Sequence, residues 1–190
     1  MNRTTKEFCD FLRLNRHYSP NTVLAYQQDI DKFYRFLLDI NRLDSDVTKD
    51  DIREFMRREF EGGLSKRTMK RRLSSLRHYY HFLHERKYVK NEPFLRISSP
   101  KYRAPLPKVL FDEQIQLLFK YNREREDELK DRDQAILELM FATGMRASEV
   151  VNLKIQQISF SERTINVTGK GDKERIVAFT KEASKTLRVY

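Results

Sequence analysis

Cysteine occurs only once in this 190-residue chain, and no uncharged apolar run approaches the length of a membrane span. Cys9 by itself cannot close an internal disulfide; it lies in a helical pattern and reads as a small buried apolar residue. A bilayer-crossing helix needs about 20 predominantly apolar residues, so none is expected. The opening Met1-Asn2-Arg3-Thr4-Thr5-Lys6-Glu7 lacks the apolar stretch of a secretory signal. No internal repeat is present. These absences fit a reducing compartment, and a cytoplasmic location is expected.

The chain does have a marked excess of positive charge. Lys and Arg number 38 against 28 Asp and Glu, a formal net charge of +10. The excess is uneven: residues 1–103 carry 23 basic and 14 acidic side chains, residues 104–190 carry 15 and 14. A basic first half joined to a nearly neutral second half points to a polyanionic partner for the first. Thirteen Phe and nine Tyr supply enough apolar surface for a packed core, which excludes global disorder.

Four helices are predicted in the first half. Phe8, Phe11 and Leu12 mark a short one before a break at 15–18. Ser19-Pro20 combines a cap with proline at the first helical position. Val23, Tyr26, Ile30, Phe33 and Leu37 then recur at helical spacing to about Leu38. Thr48-Lys49-Asp50-Asp51 has the form of a capping box with Asp in place of Glu, and Gly62-Gly63 ends the helix it opens. The fourth helix, from Ser65 to about Arg86, has an apolar stripe of Met69, Leu73, Leu76, Tyr80 and Leu83. At 100° per residue, Arg67, Lys70, Arg71, Ser74, Arg77, His78 and His81 fall on the other side. Eight basic residues and one acid between Lys66 and Lys87 repel one another unless an anion, such as a phosphate backbone, lies against them. A solvated charged face is the plain alternative. The Tyr79-Tyr80 pair reads as core packing with one ring at the edge.

Residues 98–108 read as a linker: three prolines, with Lys101, Arg103 and Lys108 and no acid. A basic extended strap suits backbone tracking. The boundaries expected are 1–97, 98–108 and 109–190. The second half opens with Asp112 as a cap for a helix to about Tyr121, followed by a charged stretch and a helix ending near Phe141. A short helix follows at 147–153. The period then changes to alternation, with strands at 164–168 and 175–179 joined by Gly169-Lys170-Gly171-Asp172. A final helical pattern begins at Lys181.

Two segments carry candidate chemistry. In Ala142-Thr143-Gly144-Met145-Arg146-Ala147-Ser148-Glu149-Val150 an arginine follows a glycine at the mouth of a short helix. Glu149 lies one turn on, able to hold its guanidinium. Such an arginine presents a planar fork to phosphate oxygens. In Gly169-Lys170-Gly171-Asp172-Lys173-Glu174-Arg175 a lysine sits at a hairpin tip between glycines that leave room for a nucleic-acid backbone. Each alone is compatible with a structural ion pair or an ordinary turn. The second is not a nucleotide-binding P-loop, because its upstream glycine spacing and following Ser/Thr are missing. His78, His81 and His84 recur every three residues, but no cysteine or carboxylate completes a metal site in the sequence pattern.

In this order, the two segments resemble the tyrosine recombinase (phage integrase) family, most closely its Xer-type bacterial and archaeal members. Residues 142–150 match the family pattern Ala-Thr-Gly-hydrophobic-Arg-x-Ser-Glu-hydrophobic, and residues 169–175 match Gly-Lys-Gly-x-Lys-x-Arg. Upstream, Tyr18-Ser19-Pro20-Asn21-Thr22 with Tyr26 and Asp29 is similar to the opening of the family's core-binding domain, and residues 71–80 to its last long helix.

The resemblance implies a mainly α fold: a four-helix, SAM-like core-binding domain, then the first part of an α+β catalytic domain with a β-hairpin or small antiparallel sheet. It implies a clamp on double-stranded DNA and a tyrosine that attacks the scissile phosphate to form a 3′-phosphotyrosyl link. No metal, nucleotide or other cofactor is called for. Arg146 corresponds to the first catalytic arginine, Glu149 to its orienting carboxylate, and Lys170 to the lysine that protonates the leaving 5′-oxygen, with Arg146 and Lys170 converging on one phosphate. Arg67, Lys70, Arg71, Ser74, Arg77, His78, His81, Lys101 and Arg103 are the expected DNA contacts.

The family also requires a His/Lys-x-x-Arg box, a further His or Trp, and the tyrosine nucleophile, all beyond the hairpin. Only 15 residues follow Arg175, and Tyr190 has no arginine box before it. The expectation is therefore a truncated catalytic domain that binds DNA without cleaving it. It is expected to be monomeric in solution, with other protomers joining on DNA in the full-length protein's tetrameric synapse. Two other classes remain open from the residues: a non-catalytic helical DNA-binding regulator or architectural protein, and a helical protein–protein scaffold. The first leaves 142–150 and 169–175 without a role; the second lacks affinity for DNA.

Overall fold

The computed structural model describes residues 2–103, 106, 108–169 and 173–190. The chain divides into two compact units, residues 1–105 and 106–190. Pro105, Pro107 and the hairpin residues Lys170, Gly171 and Asp172 lie outside the described residues.

The first unit contains α1 (Arg3–Leu14), α2 (Pro20–Asp39), α3 (Lys49–Glu61) and α4 (Lys66–Glu85), with a 3₁₀ turn at Asp44–Asp46. The starts follow the anticipated chemistry. Ser19 accepts from the Thr22 N–H ahead of Pro20, and Ser65 accepts from Thr68. Thr48 and Asp51 form the reciprocal box, with Asp51 accepting from the Thr48 N–H at 2.8 Å. Each side-chain cap satisfies an N–H that the helix itself cannot.

All four helices direct their apolar stripes to one core built around aromatic rings. Phe33 lies 5.0 Å from Phe55, 5.3 Å from Phe94 and 6.2 Å from Tyr80, all edge-on. The edge-on geometry places ring hydrogens against the electron-rich faces. Tyr79 and Tyr80 are both 1% exposed, so neither ring sits at an edge. The reason is α1: Phe8 packs 5.3 Å from Tyr79, whose hydroxyl bonds Thr4 at 2.7 Å and Tyr34 at 2.8 Å. Burial pushes the Tyr79 and Tyr80 hydroxyls above their ordinary range. Cys9 is buried as expected.

The second unit holds α5 (Asp112–Arg123), α6 (Lys130–Thr143), α7 (Ala147–Val151), a 3₁₀ turn (Ile155–Gln157) and α8 (Lys181–Val189). Its sheet has the order β1-β2-β3, from β1 (Ile158–Ser159), β2 (Thr164–Thr168) and β3 (Glu174–Ala178), all antiparallel. Asp112 is not the cap of α5 but its first residue. Phe111 takes the cap position, and its N–H is satisfied by the Gln114 side chain at 3.0 Å. β1 has no signal in the sequence, because two residues are too short to show alternation. Ile165 and Val167 point inward from β2 against Leu139, Met145, Phe179 and Ala183.

The mainly helical class with a small antiparallel sheet is therefore observed. Because Phe33 joins three helices and the Phe94 segment, Phe33→Ala should cost about 3–5 kcal/mol, read as a lower denaturation midpoint in urea. A loss below about 1 kcal/mol would mean the ring cluster is not the centre of this core.

Candidate functional site

In the first unit, the cationic face of α4 is not uniform. Arg67 and Lys70 are exposed, and neither pairs with a carboxylate among the described residues. Arg71 is half free: its guanidinium donates to Asp29, yet the side chain keeps 45% exposure. Asp29 is only 1% exposed and also accepts from Arg72 at 3.1 Å and from the Ser75 hydroxyl at 2.8 Å. Arg72 donates to Glu59 as well. A buried carboxylate with this many charged and hydroxyl donors is fully compensated, and in return it fixes the direction in which Arg71 leaves the helix.

On the next turns the basic side chains meet partners within the protein. Arg77 donates to the carbonyls of Phe94 at 3.2 Å and Ile97 at 2.6 Å and to the Ser99 hydroxyl at 3.1 Å. It is turned onto its own backbone, where it ties down the chain that leads into residues 98–108. His81 faces Glu92 at 3.1 Å, and His84 faces the same carboxylate at 3.5 Å. His78 bonds the Tyr26 hydroxyl at 3.1 Å. Burial, together with the nearby charges of His81, Arg16 and Arg77, lowers its basicity. Ser74 is half-buried, while Lys101 and Arg103 are exposed. A helical wheel places all seven α4 residues together; it cannot register that residues 92–99 return along the helix and take up Arg77 and His81.

The second unit builds a site at the mouth of α7. Gly144 closes α6 in the left-handed region at φ 63°, where a side chain would be strained. Thr143 stabilises this turn: its hydroxyl donates to the Leu139 carbonyl at 2.6 Å and accepts from the Met145 N–H at 3.2 Å. Met145 is buried and anchors the turn, so Arg146 emerges at the cap position of α7 with 68% exposure. Here the Thr-Gly-Met-Arg order acquires a physical meaning.

Glu149 organises the cationic side chains around this turn. Its Oε2 accepts from the Arg146 N–H at 2.8 Å, and its Oε1 from Arg146 Nη1 at 2.9 Å. Arg175 of β3 grips the same carboxylate with two bonds, Nη1 to Oε1 at 3.0 Å and Nη2 to Oε2 at 2.8 Å. The Arg175 guanidinium, with the Arg146 N–H, holds the Glu149 carboxyl down at about 2. Arg146 keeps Nη2 and Nε without a hydrogen bond to the described residues. Arg146 borders a cleft of about 530 Å³ that Ser148, Asn152, Lys154, Thr168 and Gly169 also line. Such a fork, beside a carboxylate already neutralised by a second arginine, can take an anion with two oxygens.

Arg175 belongs to the matched motif, but the residues alone give it no role. Its only sequence signal is a charge at a position where alternation calls for an inward residue. Lys170 lies outside the described residues, so its expected convergence with Arg146 is not described. Among the described residues, no group of three or more His, Cys, Asp and Glu side chains could hold a metal ion, and no helix is long and apolar enough to cross a membrane.

A helical SAM-like unit and a mixed unit with an arginine at a helix mouth define the class as integrase-like. The family model "Phage integrase, N-terminal SAM-like domain" matches residues 5–87, and "Phage integrase family" matches residues 108–190. The chain belongs to the phage integrase family, the tyrosine recombinases. It is similar to the tyrosine recombinase XerC of Oceanobacillus iheyensis, 38% identical over 185 residues, covering 96% of this chain and 60% of the relative. XerC of Bacillus subtilis is 35% identical over 187 residues, covering 97% and 61%. The chain thus spans about 60% of the length of these curated relatives. Among solved structures, the fold is shared with XerH recombinase in a post-cleavage complex with a palindromic difH substrate: TM-score 0.70, 22% identity, 97% of this chain and 55% of that one. A lambda integrase dimer bound to a COC′ core site gives a TM-score of 0.75 at 15% identity, covering 98% and 52%.

The Glu149 carboxyl has its own signature. Its folded pKa of about 2 lies below the ordinary 4.5, so the stabilisation it gives is complete above about pH 4.5 and is lost as pH falls toward 2. Glu149→Gln should remove that component, leaving the second unit's calorimetric transition less dependent on pH across this window than in wild type. If the variant tracks wild type, another group is titrating.

Proposed function

We propose that the protein acts in site-specific DNA recombination, gripping duplex DNA with its first unit and stabilising the scissile phosphate with its second. The observation that carries this reading is Arg146, an exposed fork at a helix mouth with two nitrogens that bond none of the described residues, beside a neutralised carboxylate. In a tyrosine recombinase, charge on the non-bridging oxygens grows as the phosphate is attacked, and a prepositioned arginine there stabilises the transition state more than the ground state. Glu149 orients Arg146. Lys170 protonates the leaving 5′-oxygen, a role taken from the family pattern it matches. The recombinases of the same fold bound to DNA substrates support double-stranded DNA as the partner, and several protomers assemble on it in the complete protein.

For the first unit, Arg67 and Lys70 are the principal backbone contacts, Arg71 is held in line by Asp29, and Lys101 and Arg103 extend the contact along the strap. Ser74 and His78 border this face. Arg77 and His81 act through the segment they hold. The linker at 98–108 connects a core-binding domain at 1–97 to the catalytic portion at 109–190. A polypeptide of these 190 residues is monomeric in solution and binds duplex DNA without cutting it. The reaction needs no metal or nucleotide, because the energy of the broken bond is retained in the phosphotyrosyl link.

Two outcomes test the reading. Duplex binding by the chain should weaken steeply with salt, and Arg67→Ala/Lys70→Ala should lower the magnitude of the log K against log salt slope by about 2, with helicity unchanged in circular dichroism. A slope equal to wild type removes these residues from the interface. In a protein carrying the remaining catalytic residues, Arg146→Ala should reduce covalent adduct formation on a suicide substrate by about 10²–10³-fold while weakening duplex binding only severalfold. Undiminished adduct formation removes Arg146 from catalysis.

A further inference from the structure

We propose that Arg175 is a positioning residue of the phosphate site, which occupies both oxygens of Glu149 so that the Arg146 guanidinium stays available to the DNA backbone. This rests on the reading of the cleft as a phosphate site. The register of the sheet states the problem that Arg175 solves. Arg175 pairs with Val167, and directly opposed residues in antiparallel strands project to the same face. Val167 is buried against the apolar cluster of this unit, so β3 directs an arginine to the face where alternation would place an apolar side chain.

What holds Arg175 there is the bidentate pair with Glu149, whose side chain is only 6% exposed. Four donors meet two oxygens: two from Arg146 and two from Arg175. Without Arg175, the carboxylate would be compensated, among the described residues, by Arg146 alone. The pair would tighten, the fork would turn inward, and an unbalanced negative charge would face the incoming phosphate. Gly169 adds an independent constraint. A Cβ there would lie 3.2 Å from Arg175 Nη1 and 3.6 Å from Glu149 Oε1, so the end of β2 packs directly on the ion pair. The Gly169 N–H donates to the Lys173 carbonyl at 2.7 Å. The arginine, the carboxylate and both strand ends that flank residues 170–172 thus form one packed group. Lysine cannot reproduce it, because an ammonium lacks the planar fork that meets two oxygens at once.

The test is fluorescence anisotropy of the 190-residue chain on a labelled duplex of arbitrary sequence, across a salt series. Arg175→Ala should weaken binding severalfold and lower the magnitude of the salt slope by about 1, because Arg146 is drawn onto Glu149. Arg175→Lys should fall between the two. Adding Glu149→Gln to Arg175→Ala should restore the wild-type slope, a rescue that loss of a direct phosphate contact by Arg175 does not predict. An unrescued double variant overturns the proposal. If calorimetry finds the second unit unfolded in Arg175→Ala, the pair Arg175→Gln/Glu149→Gln carries the test: a wild-type slope supports the proposal, and a slope lower by about 1 overturns it. A wild-type chain without salt-dependent duplex binding would overturn the phosphate-site reading and this inference together, whereas wild-type binding with no rescue overturns this inference alone.

Discussion

A carboxylate shared by two arginines governs the chemistry of the second unit. Glu149 accepts from the backbone and side chain of Arg146 and, on the same oxygens, from the fork of Arg175. Its low pKa states the same fact electrostatically: the ionised form is so well solvated by these donors that protonation is deferred to strongly acid pH. Because that charge is satisfied from the strand side, the exposed arginine at the helix mouth need not be consumed by it. Removing water from around a phosphate and an arginine is productive only if no uncompensated anion remains beside them.

The first unit uses the same device at another place. Asp29, buried beneath α4, receives Arg71, Arg72 and the Ser75 hydroxyl. One arginine is fully retained inside the bundle and passes on to Glu59; the other is held at its base but left half exposed. In both units, a buried acid converts a flexible cation into a directed one. A long side chain fixed before binding loses less conformational entropy when it meets a phosphate. The number of basic residues is therefore a poor guide to the number of cations left exposed and uncommitted among the described residues. Arg77 is basic and lies on the expected side of α4, yet its guanidinium is committed to two carbonyls and a hydroxyl of the segment beyond the helix.

Local chemistry determined a great deal. The starts of α2, α3 and α4 were legible because Ser19-Pro20, Thr48 to Asp51 and Ser65 satisfy N–H groups within three residues, a requirement independent of the rest of the fold. The strands β2 and β3 were legible to within a residue, and so were the class of the fold and the motif at 142–150, which owes its order to a left-handed glycine and a back-bonded threonine. Asp112 misled because its carboxylate also suits the first turn of a helix, and only the position of Phe111 and Gln114 decided which residue capped it.

Partnership across distance was left to tertiary packing. Residues 29 and 71, 77 and 97, or 149 and 175 are joined by no periodicity, since ion pairs and hydrogen bonds depend on where separate elements meet. Residue order alone sets where helices begin, which faces are apolar and which arginine stands at a helix mouth. The folded arrangement then settled which cations are spent within the protein and which stay exposed, because a charge is released or retained according to the carboxylates and carbonyls brought within about 3 Å of it.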